Sequence, residues 1–342
     1  MSNKISLFTL ILVLLAPIYA CAQEIHSPIQ IKDPIRFGLP IDCTLNEDCW
    51  IVNYVDYGDG DNLQTDPACL ARTYDTHKGT DFAILDEAAL NNGVDVIAPM
   101  DGTILRVRDG EEDSWKSDQE LTDIQEQRKE CGNAIMIDHG DGLQTVYCHL
   151  KKNSISVRRN QSVKKGDAIG KVGLSGFTEF PHLHFGIINN GDILDPFTAK
   201  SNNERCGLNK KSLWNKELNI AYEPFIIQAS GFSDTVPELD RIEKNAFSKN
   251  EISSQTEKLT FWALLLGVRE GDKISLKIHD ASGRVFAEQE IIQDKTRARQ
   301  FYFIGKNLVR KSPLKEGAYT GTVSLSRGEE RDFKVITTLI TP

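Results

Sequence analysis

The sequence predicts an all-β protein, in which an antiparallel β-sheet with a groove is followed by a smaller β-sandwich of the immunoglobulin-like type. Short runs of β-branched and apolar residues, bounded by Gly, Pro, Asn or Asp, recur along most of the chain, as expected for strands joined by turns. In the last third these runs come at regular intervals, which is typical of a sandwich. The 342 residues also exceed the roughly 100 to 200 residues of one domain, so we expect two domains.

Residues 1–22 have the layout of a secretory signal peptide. A positive charge at Lys4 precedes an apolar run over residues 7–15, and small residues follow. We favour cleavage after Ala22, and a lipid anchor at Cys21 is the alternative. No later run approaches the roughly 20 apolar residues of a transmembrane helix. We therefore expect an exported protein without a transmembrane segment, located in the periplasm or cell envelope or secreted.

The charge balance argues against a nucleic-acid partner. Removing residues 1–22 takes away one lysine and no acidic residue, which leaves 39 basic against 49 acidic side chains. An acidic surface repels the phosphate backbone, whose neutralisation by Lys and Arg dominates nucleic-acid affinity. We expect no nucleic-acid binding.

The cysteines indicate disulfide bonds in the first domain. The chain has seven cysteines, and loss of Cys21 with the signal peptide leaves an even set. An even set in an exported chain is typical of disulfides, but the sequence does not choose among the pairings. Zinc binding by cysteine is disfavoured because close pairs of the type C-x-x-C are missing. The remaining cysteines are Cys43, Cys49, Cys69, Cys131, Cys148 and Cys206.

The first domain is expected over residues 51–205, after a leader segment at residues 23–50 whose prolines prevent a long helix. A charged stretch at residues 111–131 is interpreted as an exposed helix or loop, and a loop that gates substrate access is the alternative. The clearest strand signals of this domain lie at residues 94–98, 103–107, 134–138, 143–150 and 183–188.

The clearest hairpin spans residues 134–150. Asp141 and Gly142 can supply the positive φ angles of a tight turn between its strands. Because side chains alternate along a strand, Tyr147 and His149 are expected on the same face of the returning strand. That strand would then have one apolar face and one face that carries chemistry.

The second domain is expected over residues 222–342. Turn signals separate its strand-like runs, and their spacing predicts the β-sandwich. Such a domain can bind, orient or brace, and its fold alone does not decide which. The predicted strands lie at residues 225–228, 259–265, 274–278, 301–304, 319–325 and 333–339.

Four of the seven histidines lie in the segments THKGTDF, VYCHL and PHLHF, which contain His77, His149, His182 and His184. Residues two apart in a strand point to the same side, so His182 and His184 can face one cleft. The four-residue spacing likewise keeps His77 and Asp81 on one face of an extended segment. Two imidazoles and one carboxylate match a catalytic zinc site, which uses three protein ligands and leaves a position for water.

These segments resemble those of the lysostaphin-type and LytM-like zinc endopeptidases, also called β-lytic metallopeptidases. That family carries H-x-x-x-D, a later single His and then H-x-H, in the order found here. The resemblance covers residues 74–196 and includes the context SGFTEFPHLHFGI before DPF. It implies one zinc ion per chain and a catalytic groove. The implied metal ligands are His77, Asp81 and His184, and the implied catalytic residues that do not bind the metal are His149 and His182.

The resemblance implies a zinc metalloendopeptidase that hydrolyses amide bonds in the crosslinking peptides of peptidoglycan. Zinc lowers the pKa of a bound water toward about 7 and polarises the scissile carbonyl, and either catalytic histidine can accept a proton. The sequence has no H-E-x-x-H, so the mechanism with a glutamate base on a helix does not apply.

Two other functions stay open at this stage. The chain can be a noncatalytic binding or regulatory module of the cell envelope, or a secreted protease that acts on glycine-rich proteins. Self-inhibition is also open, because an Asn or Asp of the leader before Tyr74 offers an oxygen ligand for the remaining zinc position.

Overall fold

The structure is a computed structural model that describes residues 35–58, 64–244, 248–308 and 313–342. The predicted signal peptide at residues 1–22, with Cys21, and the first part of the predicted leader lie outside the described residues. Ile35–Pro342 forms one compact unit. Within the described ranges, no helix is both long enough and apolar enough to cross a membrane.

The first part of the unit is an antiparallel sheet, which we call the N-terminal sheet. Its strand order is β1-β2-β9-β6-β5-β4-β7, and β10 pairs with the end of β9. The strands β3 (Asp95–Ile97) and β8 (Ala168–Lys171) form a separate antiparallel pair. The strands of the N-terminal sheet are β1 (Cys49–Asn53), β2 (Thr80–Ile84), β4 (Gly102–Arg108), β5 (Asn133–Asp138), β6 (Leu143–Leu150), β7 (Ser162–Val163), β9 (His182–Asn189) and β10 (Asp192–Leu194).

The predicted antiparallel β fold is confirmed, and every strand predicted for this part is present. Buried and partly exposed residues alternate along β5, which is the pattern that reveals a strand in a sequence. All residues of β1 and β2 are buried instead. Alternation is lost in such strands, so β1 and β2 lack the period-two signal of a half-buried strand, and the sequence did not predict them.

In the described part of the chain, three short α-helices accompany the sheets: α1 (Glu87–Asn92), α2 (Asp118–Glu126) and α3 (Leu239–Lys244). The helix α2 lies in the charged stretch interpreted as an exposed helix or loop, and none of its residues is buried. Its first turn is stabilised by a capping box, in which Ser117 and Glu120 each bond the other's backbone N–H.

The six remaining cysteines are all paired, as the sequence predicts. The bonds are Cys43–Cys49, Cys69–Cys206 and Cys131–Cys148. Residues 35–50, which belong to the predicted leader, pack into the compact unit, because Phe37 and Ile41 are buried. Backbone bridges join these two residues to Trp214 and Val96.

The second part is a sandwich of two sheets, which we call the C-terminal sandwich. One sheet has the order β11-β13-β16 and the other β12-β18-β17-β14-β15. Neighbouring strands are antiparallel except β12 and β18, which are parallel. Its strands are β11 (Ile226–Ser233), β12 (Glu251–Ser253), β13 (Lys258–Val268), β14 (Lys273–His279), β15 (Val285–Ile292), β16 (Arg297–Asn307), β17 (Gly317–Arg327) and β18 (Glu330–Thr341).

One apolar core joins the two sheets of the sandwich. Phe261 of β13 and Leu276 of β14 are both fully buried in it. All six predicted strands are present, although longer than predicted. The strands β12 and β15 were missed, because β12 has three residues and β15 is an edge strand with mostly exposed side chains.

The N-terminal sheet and the C-terminal sandwich share an apolar cluster, which we call the interface cluster. It is reinforced by the buried guanidinium of Arg72, which donates to the carbonyl oxygens of Ile51 and Glu223. The predicted domain bounds, 51–205 and 222–342, stay predictions. The interface cluster consists of Trp50, Val52 and Ala83 from the N-terminal sheet and Ile226 and Leu266 from the sandwich, with Phe180 packed against them.

Candidate metal centre and histidine pair

Three side chains from two distant segments of the sequence meet at β2 and β9. Asp81 of β2 pairs directly with His184 of β9, and His77 lies in the turn that leads into β2. His77 Nε2 is 3.0 Å from Asp81 Oδ1 and 3.0 Å from His184 Nδ1. His184 Nδ1 is 2.9 Å from the same carboxylate oxygen. The three predicted metal ligands therefore present one donor atom each to a common point.

This group is a possible metal site by its chemistry and spacing. Zinc binds imidazole nitrogens and carboxylate oxygens at about 2.0–2.2 Å, so donor atoms around a tetrahedral ion lie about 3.3–3.6 Å apart. The three donor atoms here are 2.9–3.0 Å apart, so a small outward shift of each would fit them to one ion. His77 and Asp81 are almost fully buried, whereas His184 keeps 14% of its side chain exposed. The site therefore opens to solvent on one side, which a substrate or water molecule requires.

The two buried candidate ligands, His77 and Asp81, each make a hydrogen bond on the side away from the common point. The sequence did not predict either partner. His77 Nδ1 donates to the Tyr54 carbonyl oxygen at 2.7 Å, which leaves the lone pair of Nε2 directed at the site. The Asn53 amide donates to Asp81 Oδ2 at 2.9 Å. Among the His, Cys, Asp and Glu residues of the described leader, none belongs to this group of donor atoms.

His149 lies at a β-bulge in β6. Ile135 pairs with Tyr147, and Asn133 pairs with Leu150, so β6 holds one more residue than β5 between these two pairs. His149 has a φ of 62°, in the left-handed region that residues other than glycine seldom adopt. Strained backbone of this kind is concentrated at functional sites.

The bulge turns the His149 ring toward the candidate metal site. Its Nδ1 donates to the Ser175 carbonyl oxygen at 2.9 Å, and its backbone N–H donates to the Cys131 carbonyl oxygen at 2.9 Å. The ring centroid lies 4.6 Å from that of His182 and 6.1 Å from that of His184.

The expectation that Tyr147 and His149 share a face is wrong. Tyr147 is fully buried, contacts the Phe185 ring at a centroid distance of 5.5 Å, and shares a hydrogen bond with Thr145. Phe185 alternates with His184 along β9 and so lies on the opposite face of the sheet. The extra residue of the bulge reverses the alternation between Tyr147 and His149. Tyr147 has a packing role.

His182 completes the set predicted from the sequence. It lies two residues before His184 on β9, and its Nε2 is 3.7 Å from Asp81 Oδ1. Its Nδ1 is 2.9 Å from the Phe180 carbonyl oxygen and 3.0 Å from the Thr178 hydroxyl. All five predicted residues therefore lie together at one end of the β2, β9 and β6 strands.

The burial of this cluster determines its protonation. Burial lowers the pKa of His149 and of His182, and at His149 the neighbouring imidazoles of His182 and His184 lower it further. Burial alone would raise the pKa of Asp81, but its interactions with the imidazoles of His77, His182 and His184 outweigh burial and hold the pKa well below its usual range. His149 and His182, which we call the histidine pair, are therefore neutral beside an ionised Asp81.

Comparison with known protein families matches residues 75–196 to peptidase family M23. Both motifs, H-x-x-x-D and H-x-H, fall within the match, as does His149. Residues 75–196 form a domain of peptidase family M23. We call these residues the M23 region, and the predicted resemblance is confirmed.

Several relatives are similar to the M23 region. An uncharacterized metalloprotease of Haemophilus influenzae is 36% identical over 124 residues, which are 36% of this chain and 21% of that protein. The peptidoglycan DD-endopeptidase ShyA of Vibrio cholerae is 31% identical over 123 residues, 36% of this chain and 23% of that protein. The chain thus spans less than a quarter of the length of these relatives. The catalytic domain of lysostaphin from Staphylococcus simulans is 26% identical, with a TM-score of 0.27, and the match covers 42% of this chain and 85% of that one.

Two further residues, Tyr74 and Gly79, border the candidate metal site. The ring centroids of Tyr74 and His77 lie 4.3 Å apart, and Tyr74 is 46% exposed. Gly79 lies against His184: a Cβ at this position would come within 2.7 Å of two atoms of the His184 ring and 2.6 Å of the Phe185 carbonyl oxygen. Only glycine leaves room for the His184 ring in its observed position.

Proposed function

We propose that the chain is a zinc-dependent endopeptidase that hydrolyses amide bonds in the crosslinking peptides of peptidoglycan. The observation that carries this proposal is the convergence of His77 Nε2, Asp81 Oδ1 and His184 Nδ1 within 3.0 Å of one another, with two more imidazoles beside them. Membership of the M23 region in a peptidase family supports the reaction class.

In this proposal His77, Asp81 and His184 hold one zinc ion per chain. The ion supplies Lewis acidity, which polarises a carbonyl and acidifies a water molecule. The protein orients the ligand side chains. The Tyr54 carbonyl fixes the His77 ring, and the Asn53 amide fixes the Asp81 carboxylate. Such outer partners typically contribute 10- to 100-fold to metal affinity or activity, on the order of one to three kcal/mol.

His149 and His182 are the proposed catalytic residues that do not bind the metal. In each ring Nδ1 donates a hydrogen bond to a backbone carbonyl oxygen. The acceptor is Ser175 for His149 and Phe180 for His182. A neutral imidazole whose Nδ1 carries the proton has an unprotonated Nε2, which can accept a proton from the attacking water. Once protonated, the same nitrogen can donate a hydrogen bond to the oxyanion that forms from the scissile carbonyl, or give its proton to the departing amine.

Adding a methyl group at Gly79 is expected to weaken zinc binding. In the Gly79→Ala variant the new methyl group overlaps the His184 ring, so the ring must turn and its donor atom leaves the common point. We expect zinc affinity to fall by about 10- to 100-fold, as for the loss of a partner that orients a ligand. Competition with a chromogenic chelator measures this affinity.

The matched control for that experiment is Gly170→Ala. A Cβ at Gly170 finds its nearest neighbour at 3.6 Å, which is ordinary van der Waals contact. This variant should bind zinc like the unmodified chain. Equal zinc affinity in Gly79→Ala and Gly170→Ala would contradict the assignment of His184 as a ligand.

The substrate class rests on the relatives and on the expected export of the chain. ShyA, which is similar over the M23 region, is named a peptidoglycan DD-endopeptidase. The predicted signal peptide would bring the chain to the periplasm or cell envelope, where peptidoglycan lies. Within the M23 region no residue of the predicted set is missing, which argues against a noncatalytic binding or regulatory module.

Digestion of purified peptidoglycan tests the proposal. The chain from residue 23 onward, loaded with zinc, is incubated with peptidoglycan, and the fragments are separated by chromatography and mass spectrometry. We expect crosslinked fragments to decrease and uncrosslinked ones to increase, and chelated protein to be inactive. Cleavage of a glycine-rich polypeptide instead would favour the secreted-protease alternative. Stoichiometric zinc without cleavage of either substrate would favour the binding module.

A further inference from the structure

The orientation of His182 depends on the segment just before it. Its Nδ1 is bonded to the Phe180 carbonyl oxygen at 2.9 Å, and the Thr178 hydroxyl donates to the same oxygen at 2.8 Å. The Phe180 and His182 rings also contact each other, with centroids 4.7 Å apart and planes inclined by 33°. The backbone and the ring of Phe180 thus both contact the imidazole, so a shift of Phe180 moves His182.

Phe180 is itself held by the C-terminal sandwich. It packs against the interface cluster, to which Ile226 of β11 and Leu266 of β13 contribute. Arg299 of β16, the residue paired with Leu266, places its guanidinium carbon 4.9 Å from the Phe180 ring centroid. A cation at this distance over an aromatic face is attracted by the electrons of the ring.

These contacts form a continuous series from the sandwich to the histidine pair. Arg299 contacts Phe180, Phe180 contacts His182, and the His182 ring lies 4.6 Å from that of His149. We propose that Arg299 is a positioning residue, which fixes Phe180 and thereby the His182 imidazole, and that the C-terminal sandwich is in this way a structural part of the active site. This inference rests on the proposed function for the role of His182.

The contribution of the cation can be separated from that of packing. Arg299→Met keeps an aliphatic stem over the ring and removes the charge, whereas Arg299→Lys keeps a cation there. We expect kcat of Arg299→Met to fall by about threefold to tenfold, as for a modest misplacement of a catalytic group. The KM value and the zinc stoichiometry should not change, and Arg299→Lys should recover part of the loss.

Lys334→Met is the matched control. The Lys334 ammonium lies 5.6 Å from the Trp50 ring centroid, so it makes the same kind of contact across the same interface. It bonds the Gln228 carbonyl oxygen and not the segment at residues 178–180. A variant that merely loosens the interface would lower the melting temperature, and Lys334→Met should do so with kcat unchanged. An equal fall of kcat in both variants would overturn the proposal.

A second measurement does not depend on activity. In metal-free protein labelled with ¹⁵N at histidine, the proton on His182 Nδ1 should give a slowly exchanging NMR signal, assigned by its loss in His182→Gln. Arg299→Met should shift this signal and speed its exchange, and Lys334→Met should not. If the NMR signal responds as expected while the unmodified chain cleaves no peptidoglycan, the positioning role stands and the proposed function fails. An unaltered signal in Arg299→Met would refute the positioning role.

Discussion

We expect His77→Ala to lose both bound zinc and hydrolytic activity. The substitution removes one of three donor atoms that lie within 3.0 Å of one another, and the two that remain cannot complete a catalytic zinc site. Zinc affinity should fall by more than about 100-fold, which exceeds the effect of losing an outer partner of a ligand. Metal analysis after gel filtration and the peptidoglycan digestion measure the two losses.

His279→Ala is the appropriate control for His77→Ala. His279 lies at the end of β14 in the C-terminal sandwich, so its removal should leave zinc content and cleavage unchanged. If His77→Ala kept one zinc ion per chain with undiminished affinity, the proposed ligand set would be refuted, whatever the activity of the variant.

The second large effect is expected for His149, with the opposite result for the metal. His149→Ala should retain one zinc ion and lose about 10²- to 10⁴-fold in kcat/KM, the usual contribution of a positioned acid–base group. Its ring contacts those of His182 and His184 but supplies no donor atom to the group of three. The measurement combines metal analysis with kinetics on a purified crosslinked fragment.

A second variant separates chemistry from backbone conformation at this position. His149 has a φ of 62°, and Asn adopts the left-handed region more readily than Ala does. His149→Asn should therefore fold like the unmodified chain and be as inactive as His149→Ala. Substantial activity in His149→Asn would contradict the proton-transfer role. Loss of zinc from it would show that His149 contributes to metal binding.

Much of the candidate site could be predicted because its residues carry local signals. His77 and Asp81 are close in sequence, His182 and His184 are two apart on one strand, and the five residues keep the order of the family motifs. Several strands that were predicted correctly, such as β5 and β14, alternate buried residues with more exposed ones. In all these cases the information lies within a few neighbouring residues.

The rest depends on contacts that no local pattern encodes. Backbone carbonyl oxygens of Tyr54 and Ser175 orient two histidines, and a carbonyl is present at every residue, so its role has no sequence signature. The bulge at His149 reversed the expected alternation because one extra residue in a strand moves all following side chains to the other face. The contact of Arg299 with Phe180 joins parts of the chain that only the folded structure brings together.

The Cys131 carbonyl oxygen accepts a hydrogen bond from the His149 backbone N–H. The disulfide between Cys131 and Cys148 links this loop covalently to β6, the strand that carries His149. Bonds of this kind form in oxidising compartments and are rare where glutathione and thioredoxin keep thiols reduced. In a reducing cytosol this covalent tie would be missing. On the proposed function and the predicted export, we expect the disulfide that supports His149 to form only once the chain has reached an oxidising compartment.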